Sequence, residues 1–332
     1  MTIYARPLVQ NGGARPADAV PLLGTQAWFC HAEVLSRSEP PRIVSACDLP
    51  DGVLAPLTEP RPALAGLDMR QPQIMGVLNA TPDSFSDGGQ HSGCQQAIDH
   101  ALRMQAQGAA IVDIGGESTR PGAERVPAKT EMERILPVIE GLRNKSDVPV
   151  SVDTRKADVA KAALAAGADL VNDVSGFTFD PALLPLCSET KAPVCIMHAQ
   201  GEPETMQDDP NYGHVLLDVY DFLAGQVARL EEAGIPRSRI AIDPGIGFGK
   251  TEAHNLAILQ GLSLFHGIGC AILLGVSRKG FIGRIGREPN AAARAPGSIA
   301  VGLAGLAQGV QILRVHDVAE TAQAIRLWQA VT

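Results

Sequence analysis

The sequence predicts a (β/α)8 TIM barrel with an N-terminal extension of short strands and loops. Eight short apolar runs, each followed by a longer stretch of helical periodicity, carry that prediction. They spread over about 260 residues, the usual size of such a barrel. Nearly every run also ends in a polar or ionisable residue, and in a closed barrel those ends converge on one mouth. An open doubly wound sheet is the alternative.

Residues 1–70 are read as an extension of unknown role, and residues 71–332 as the barrel. The extension carries Pro7, Pro16, Pro21, Pro40, Pro41, Pro50, Pro56, Pro60 and Pro62 and only short apolar runs such as Ala27–Cys30. From residue 73 the runs are Gln73–Asn79, Ala110–Gly115, Val148–Asp153, Asp169–Asp173, Pro193–His198, Arg239–Asp243, Ala271–Ser277 and Gln311–Val315. Runs this apolar suit strands buried on both faces, as in a parallel sheet covered by helices.

Composition narrows the function class. The chain has 332 residues, 45% hydrophobic and 19% charged, which is ordinary for a packed globular protein. Acidic residues outnumber basic ones 36 to 28, so the formal charge of −8 offers no general attraction for nucleic acid or an anionic membrane. An anionic ligand must be met by local Arg, Lys and backbone amides. The six cysteines show no C-x-x-C pair and no zinc-ligand spacing, and are expected to be reduced and mostly buried. With no leader-like or membrane-length apolar segment, a cytoplasmic protein is expected.

The run ends supply Asn79, Glu117 to Arg120, Asp153, Asn172, His198, Asp243, Ser277 to Lys279, and Arg314 with His316. A strand-end Asp or Asn often merely caps the next helix; eight such ends at one mouth make that reading poor for the set. His198, behind an apolar run, is read as a structural histidine. The segments 79–89 and 115–123 are rich in Gly, Pro, Ser and Asp and are expected to be long loops over the mouth, the first with Phe85 near its centre, the second carrying Arg120. Two such lids favour a reaction that must exclude water.

Asp243-Pro244-Gly245-Ile246-Gly247-Phe248-Gly249-Lys250-Thr251 imitates a nucleotide-binding loop but lacks the first glycine of a Walker motif, where Pro244 stands, and the last glycine of a dinucleotide fingerprint, where Lys250 stands. Its glycines are read as letting backbone approach a flat ligand. Lys279 and Arg314, at the seventh and eighth run ends, lie where phosphate sites of such barrels form. Asp153, Asp243 and Asn172 suit a planar heterocycle with adjacent N–H donors.

These segments, with Asp113-Ile114-Gly115-Gly116-Glu117-Ser118-Thr119-Arg120-Pro121-Gly122, Ser151-Val152-Asp153-Thr154, Asn172-Asp173, Ser277-Arg278-Lys279 and Arg314-Val315-His316-Asp317, resemble the signatures of the dihydropteroate synthase family, in that family's order. The resemblance runs from about Gln73 to the C-terminus and leaves the extension outside it. It implies that Asp153, Asn172, Asp243 and Lys279 hydrogen-bond a pterin whose ring is framed by Met197, Phe248 and Arg314. It implies that Asn79, Thr119, Arg314 and His316 hold a diphosphate, Asn79 sharing a Mg2+ with it. Ser277, Lys279 and the start of the following helix would meet p-aminobenzoate, with Phe85, Arg120 and Pro121 closing over it.

Catalysis would rest on Asn79, Asp153, Lys279, Arg314 and His316. The implied activity joins a pterin carbinol diphosphate to p-aminobenzoate without a protein nucleophile, in a homodimer. The chain departs from the family at Ala80 and Ala199, where Met or Val is common, and at Gly280, where a larger or polar residue is common. The alternatives are a methyltransferase using methyltetrahydrofolate and a catalytically silent pterin-binding subunit.

Overall fold

The computed structural model describes residues 2–80, 89–118, 125–201 and 205–332, with residues 89–92 as backbone only. The extension begins with β1 (Tyr4–Pro7), β2 (Val20–Pro21), β3 (Trp28–Phe29), β4 (His31–Leu35) and β5 (Arg42–Ser45), followed by helix α1 (Asp51–Thr58). Strands β1, β4 and β5 form an antiparallel sheet; β2 and β3 pair separately. The helix is the element that proline counting hides. Pro50 sits at its N-cap, where the missing N–H costs nothing, and Pro56 falls in its last turn.

The barrel then alternates strand and helix: β6 (Gln73–Asn79), α2 (Gly89–Gln107), β7 (Ile111–Gly115), α3 (Ala128–Arg143), β8 (Val150–Asp153), α4 (Ala157–Ala165), β9 (Leu170–Asp173) and α5 (Leu183–Thr190). It continues with β10 (Val194–Met197), α6 (Val215–Glu232), β11 (Ile240–Asp243), α7 (Glu252–Gln260), β12 (Ala271–Leu274), α8 (Gly280–Ile285), α9 (Ala295–Leu306), β13 (Ile312–Val315) and α10 (Val318–Val331). The eight strands β6 to β13 close into one parallel barrel, β13 pairing with β6. Each expected run contains its strand.

Helical spacing explains which faces turn inward. In α3, Glu131, Ile135, Val138, Ile139 and Leu142 are the buried positions, three and four residues apart. In α7 the chain turns from loop to helix through a capping box, Thr251 Oγ1 accepting from His254 N and His254 Nδ1 accepting from Thr251 N.

Strand parity builds the interior. Alternate side chains point to opposite faces, so Val112 and Ile114, Val150 and Val152, and Ile240 and Ile242 pack outward under the helices. Met75, Ile111, Leu170, Cys195, Ala241, Leu273 and Ile312 point inward at the lower end, where Leu64, Leu67 and Met69 of the incoming chain plug the barrel. Two residues further along the same inward faces stand Asp113, Asn172, Met197, Asp243 and Arg314. A period of two thus carries four of these five strands from an apolar floor to a polar mouth, with Met197 keeping β10 apolar.

The extension lies along the barrel's flank and floor. Arg61, buried, donates to the carbonyls of Cys270 and His266. Ser263 Oγ donates to Pro7 O, Arg37 pairs with Asp218 and Asp221, and the Tyr4 hydroxyl donates to Asp221. Deleting residues 1–66 is therefore expected to lower the melting temperature while leaving kcat per folded molecule unchanged. Loss of Leu64 from the plug alone costs about 2–5 kcal/mol. Measuring both together checks this: unchanged melting with turnover a hundredfold lower, about 2.7 kcal/mol of barrier, would show that the extension reaches the mouth.

Of the six thiols, Cys187, Cys195 and Cys270 are buried, Cys30 and Cys94 are half-buried and Cys47 is exposed. Burial is less general than expected because Cys30 and Cys47 belong to the small extension, whose core is thin.

Candidate active site

Arg314, on β13, organises the mouth. Its Nε donates to Asp113 Oδ2 at 2.6 Å and its Nη2 to Asp153 Oδ2 at 2.7 Å. Asn172 Nδ2 donates to the same Asp113 carboxylate at 3.2 Å. Asp113 is fully buried and Asp153 7% exposed. Burial pushes the Asp153 carboxyl up to about 7; the Arg314 charge pulls it back only in part, and the Asp113 charge adds to the rise. Two carboxylates around one guanidinium leave a site with unspent affinity for N–H donors.

Asp243 faces them from β11. Its Oδ1 accepts from Gly245 N at 2.7 Å, and burial raises its pKa. The loop after β11 brings Phe248 beneath Lys279, whose Nζ lies 4.2 Å from the ring centroid, a cation–π contact. Met197 ends β10 in register with Asp243. Asn79 ends β6 opposite Gly115.

The seventh and eighth strand ends are tied together. Ser277 Oγ accepts from His316 N at 3.1 Å and lies 3.0 Å from His316 Nδ1. Arg278, at φ 60°, donates to Asp317 through Nε at 3.1 Å and through Nη2, while its own N–H donates to Ser298 Oγ at 2.9 Å. These bonds fix the direction in which Lys279 leaves the strand. The Ser277 hydroxyl is engaged by His316, so its neighbourhood joins the Arg314 and His316 side of the mouth.

Asn79, Asp153, Asn172, Met197, Asp243, Phe248, Ser277, Lys279, Arg314 and His316 therefore all stand at or just beyond the C-terminal strand ends of one barrel. Phe85, Thr119, Arg120 and Pro121 lie outside the described residues, as do both loop tips. Asp113 is the member that reading the run ends overlooks, because it sits in mid-strand. A charged residue inside the apolar run Ala110–Gly115, two positions after Ile111, is the signal that finds it.

Two strand-end groups take no part in this cluster. Glu117 accepts from Lys156 Nζ at 3.0 Å and from Val126 N at 2.9 Å, and Lys156 also reaches Glu131 at 2.5 Å, so Glu117 anchors the stem of the second loop. His198 is 6% exposed, packs edge-on to Phe222 with ring centroids 4.9 Å apart, and lies 2.9 Å from Lys250 Nζ. Burial, then the Lys250 charge, lowers its pKa to about 3, as suits a neutral structural histidine.

The class is that of a closed (β/α)8 barrel whose C-terminal mouth, where active sites of this fold lie, carries buried carboxylates, an amide and cations at the seventh and eighth strand ends. The comparisons agree and are more specific. The family model "Pterin binding enzyme" matches residues 75–316. The dihydropteroate synthase of Escherichia coli (strain K12) is 43% identical over 264 residues, covering 80% of this chain and 93% of the relative.

Among solved structures, the Xanthomonas albilineans dihydropteroate synthase with 4-aminobenzoic acid superposes with a TM-score of 0.77 at 43% identity, covering 82% of this chain and 98% of that one. The same enzyme in complex with 7,8-dihydropteroate gives 0.74 at 40% identity, over 82% and 98%. The chain belongs to the dihydropteroate synthase family. No described helix is long and apolar enough to cross a membrane.

Proposed function

We propose that this mouth condenses 6-hydroxymethyl-7,8-dihydropterin diphosphate with p-aminobenzoate, giving 7,8-dihydropteroate and diphosphate. The observation that carries it is the Arg314 bridge between buried Asp113 and Asp153, with Asn172 beside them and Asp243 facing them: acceptors and one amide set to match the N–H edge of a pterin. Asp153, Asn172, Asp243 and Lys279 bind the ring, Met197, Phe248 and Arg314 frame it, and Asp113 holds Arg314 and Asn172 in place.

The bond from the pterin methylene carbon to oxygen breaks with its electron pair leaving on the diphosphate. The amine lone pair of p-aminobenzoate forms the new C–N bond, and the nitrogen sheds one proton. Arg314 and His316, with Asn79 and Thr119, hold the departing diphosphate, while the buried carboxylates offset the positive charge left on the pterin. Lys279 and Ser277, with Phe85, Arg120 and Pro121, receive p-aminobenzoate, and exclusion of water protects the cation. A methyltransferase would have no diphosphate to release, and cations following two paired strands, Lys279 after β12 and Arg314 and His316 at the end of β13, favour the synthase.

Asn79 fits a Mg2+ that is held chiefly by the substrate. Among the described residues no three His, Cys, Asp or Glu converge on one point. An ion that keeps its waters and binds through phosphate oxygens needs only one or two protein ligands, and the Asn79 amide oxygen can be one. When bound, Mg2+ would neutralise diphosphate charge. We further propose that the chain works in the cytoplasm as a homodimer.

The order of binding tests this function. If diphosphate and Mg2+ complete the second site, p-aminobenzoate binds the ligand-free chain weakly and the chain holding Mg2+ and diphosphate at least tenfold more tightly, a coupling of about 1.4 kcal/mol. Calorimetric titration in the two states checks it. Equal affinity in both would contradict departure of the diphosphate before attack.

A further inference from the structure

Lys250 has no part in the chemistry above, yet it is only 2% exposed and its hydrogen-bonding partners are uncharged. Its Nζ donates to the carbonyl oxygens of Gly245 at 2.9 Å, Phe248 at 3.0 Å and His198 at 3.2 Å, and lies 2.9 Å from His198 Nδ1. Burying an ammonium with no carboxylate among its hydrogen-bond partners is expensive, and burial lowers this lysine's pKa to about 7, the Asp243 charge pulling it back only in part. An apolar side chain of similar length would fill the same volume without that cost. What lysine adds is a set of donors for carbonyls that have no strand or helix to satisfy them.

The whole segment between β11 and α7 is braced in this way. Gln207 Nε2 donates to Gly247 O at 2.8 Å, the Tyr212 hydroxyl to Gly249 O at 2.6 Å, and Gly247 N donates to Asn255 Oδ1 at 2.7 Å. The loop is also wound tightly against the end of β10. Gly245 has φ 69°, and a Cβ there would lie 1.9 Å from His198 O. Its outward side meets the site: Phe248 lies under Lys279, and a Cβ on Gly247 would stand 3.3 Å from Lys279 Cδ.

We propose that Lys250 is a positioning residue for the pterin: by gathering the carbonyls of His198, Gly245 and Phe248 onto one buried amine, it fixes the Phe248 ring and, through that ring, Lys279. The proposal rests on the reading of the mouth as a pterin site. Lys250 acts only through Phe248, so its contribution must disappear when the Phe248 ring is gone.

The test uses the full chain with Lys250→Met, Phe248→Ala and the double variant. It measures steady-state kinetics with both substrates and Mg2+, and the affinity for 6-hydroxymethylpterin. Lys250→Met is expected to raise the KM for the pterin diphosphate and the Kd for the neutral pterin about tenfold, the scale of coupling between touching residues. The KM for p-aminobenzoate, which Lys279 also meets, rises by a smaller factor than the pterin constants. On the Phe248→Ala background the Lys250 effect vanishes.

A lowered melting temperature and a smaller active fraction with both pterin constants unmoved, or effects that add to those of Phe248→Ala, overturn the proposal. Lys250→Gln keeps two N–H donors without the charge. It carries the same test if the Met variant does not fold, and failure of both to fold makes the position purely structural and ends the proposal. A wild-type chain that binds no pterin overturns the functional reading itself, whereas a wild-type chain that binds and turns over, with variants whose constants do not move, overturns the Lys250 role alone.

Discussion

Asp243→Ala is expected to abolish measurable binding of 6-hydroxymethylpterin, while Asn79→Ala leaves the affinity for that neutral ligand unchanged and loses turnover. Asp243 is 6% exposed and spends one acceptor position on Gly245 N, leaving the rest of its carboxylate for the heterocycle. Hydrogen bonds to a charged group are worth about 1.5–3 kcal/mol each. Losing two of them in a dry site lowers affinity by more than about a hundredfold. Asn79 sits at the end of β6, on the proposed diphosphate side, and a ligand without diphosphate does not use it. Fluorescence titration of both variants separates the roles, and equal loss in the two would contradict the assignment.

Arg314→Met is expected to damage stability and activity together. The guanidinium is the shared partner of Asp113 and Asp153, and removing one member of a buried pair costs about 3–5 kcal/mol because the other charge is stranded. The pH dependence has a definite sign. Folded Asp153 titrates near 7 against 3.8 for a free side chain, so its contribution to stability is present below about pH 4 and is lost as pH rises toward 7. Without Arg314 the folded value climbs further, and the loss continues above neutrality. Melting curves at pH 6 and pH 8 should therefore diverge more for the variant than for the wild type. A variant equally stable at both, with full turnover, would remove Arg314 from the centre of the account.

The barrel was legible because its strands are buried on both faces and their apolar runs are separated by helical stretches; all eight strands lie within the runs read from the sequence. Most of the site was legible for the same reason, since a residue at a strand end can only be at the mouth or under a cap. Asp113 escaped because it lies inside a strand, where burial is the ordinary expectation and only parity with Ile111 shows that it faces inward. Lys250 escaped because the residues it serves are backbone carbonyls, which leave no trace in composition. The α1 helix was hidden by its prolines, Pro50 at the N-cap, where proline is tolerated, and Pro56 within the helix, where it ordinarily argues against one. Glu117 was grouped with the mouth by its place after β7, yet the buried cation Lys156 turns it away.

The condensation proposed for these strand ends has a direct assay. Purified chain is incubated with 6-hydroxymethyl-7,8-dihydropterin diphosphate, Mg2+ and p-aminobenzoate, and dihydropteroate and diphosphate are quantified by mass spectrometry over the same time course. The two products are expected in a one-to-one ratio, with Asp243→Ala and Arg314→Met yielding neither. Pterin binding without either product, or diphosphate released with no dihydropteroate formed whatever the p-aminobenzoate concentration, would contradict it.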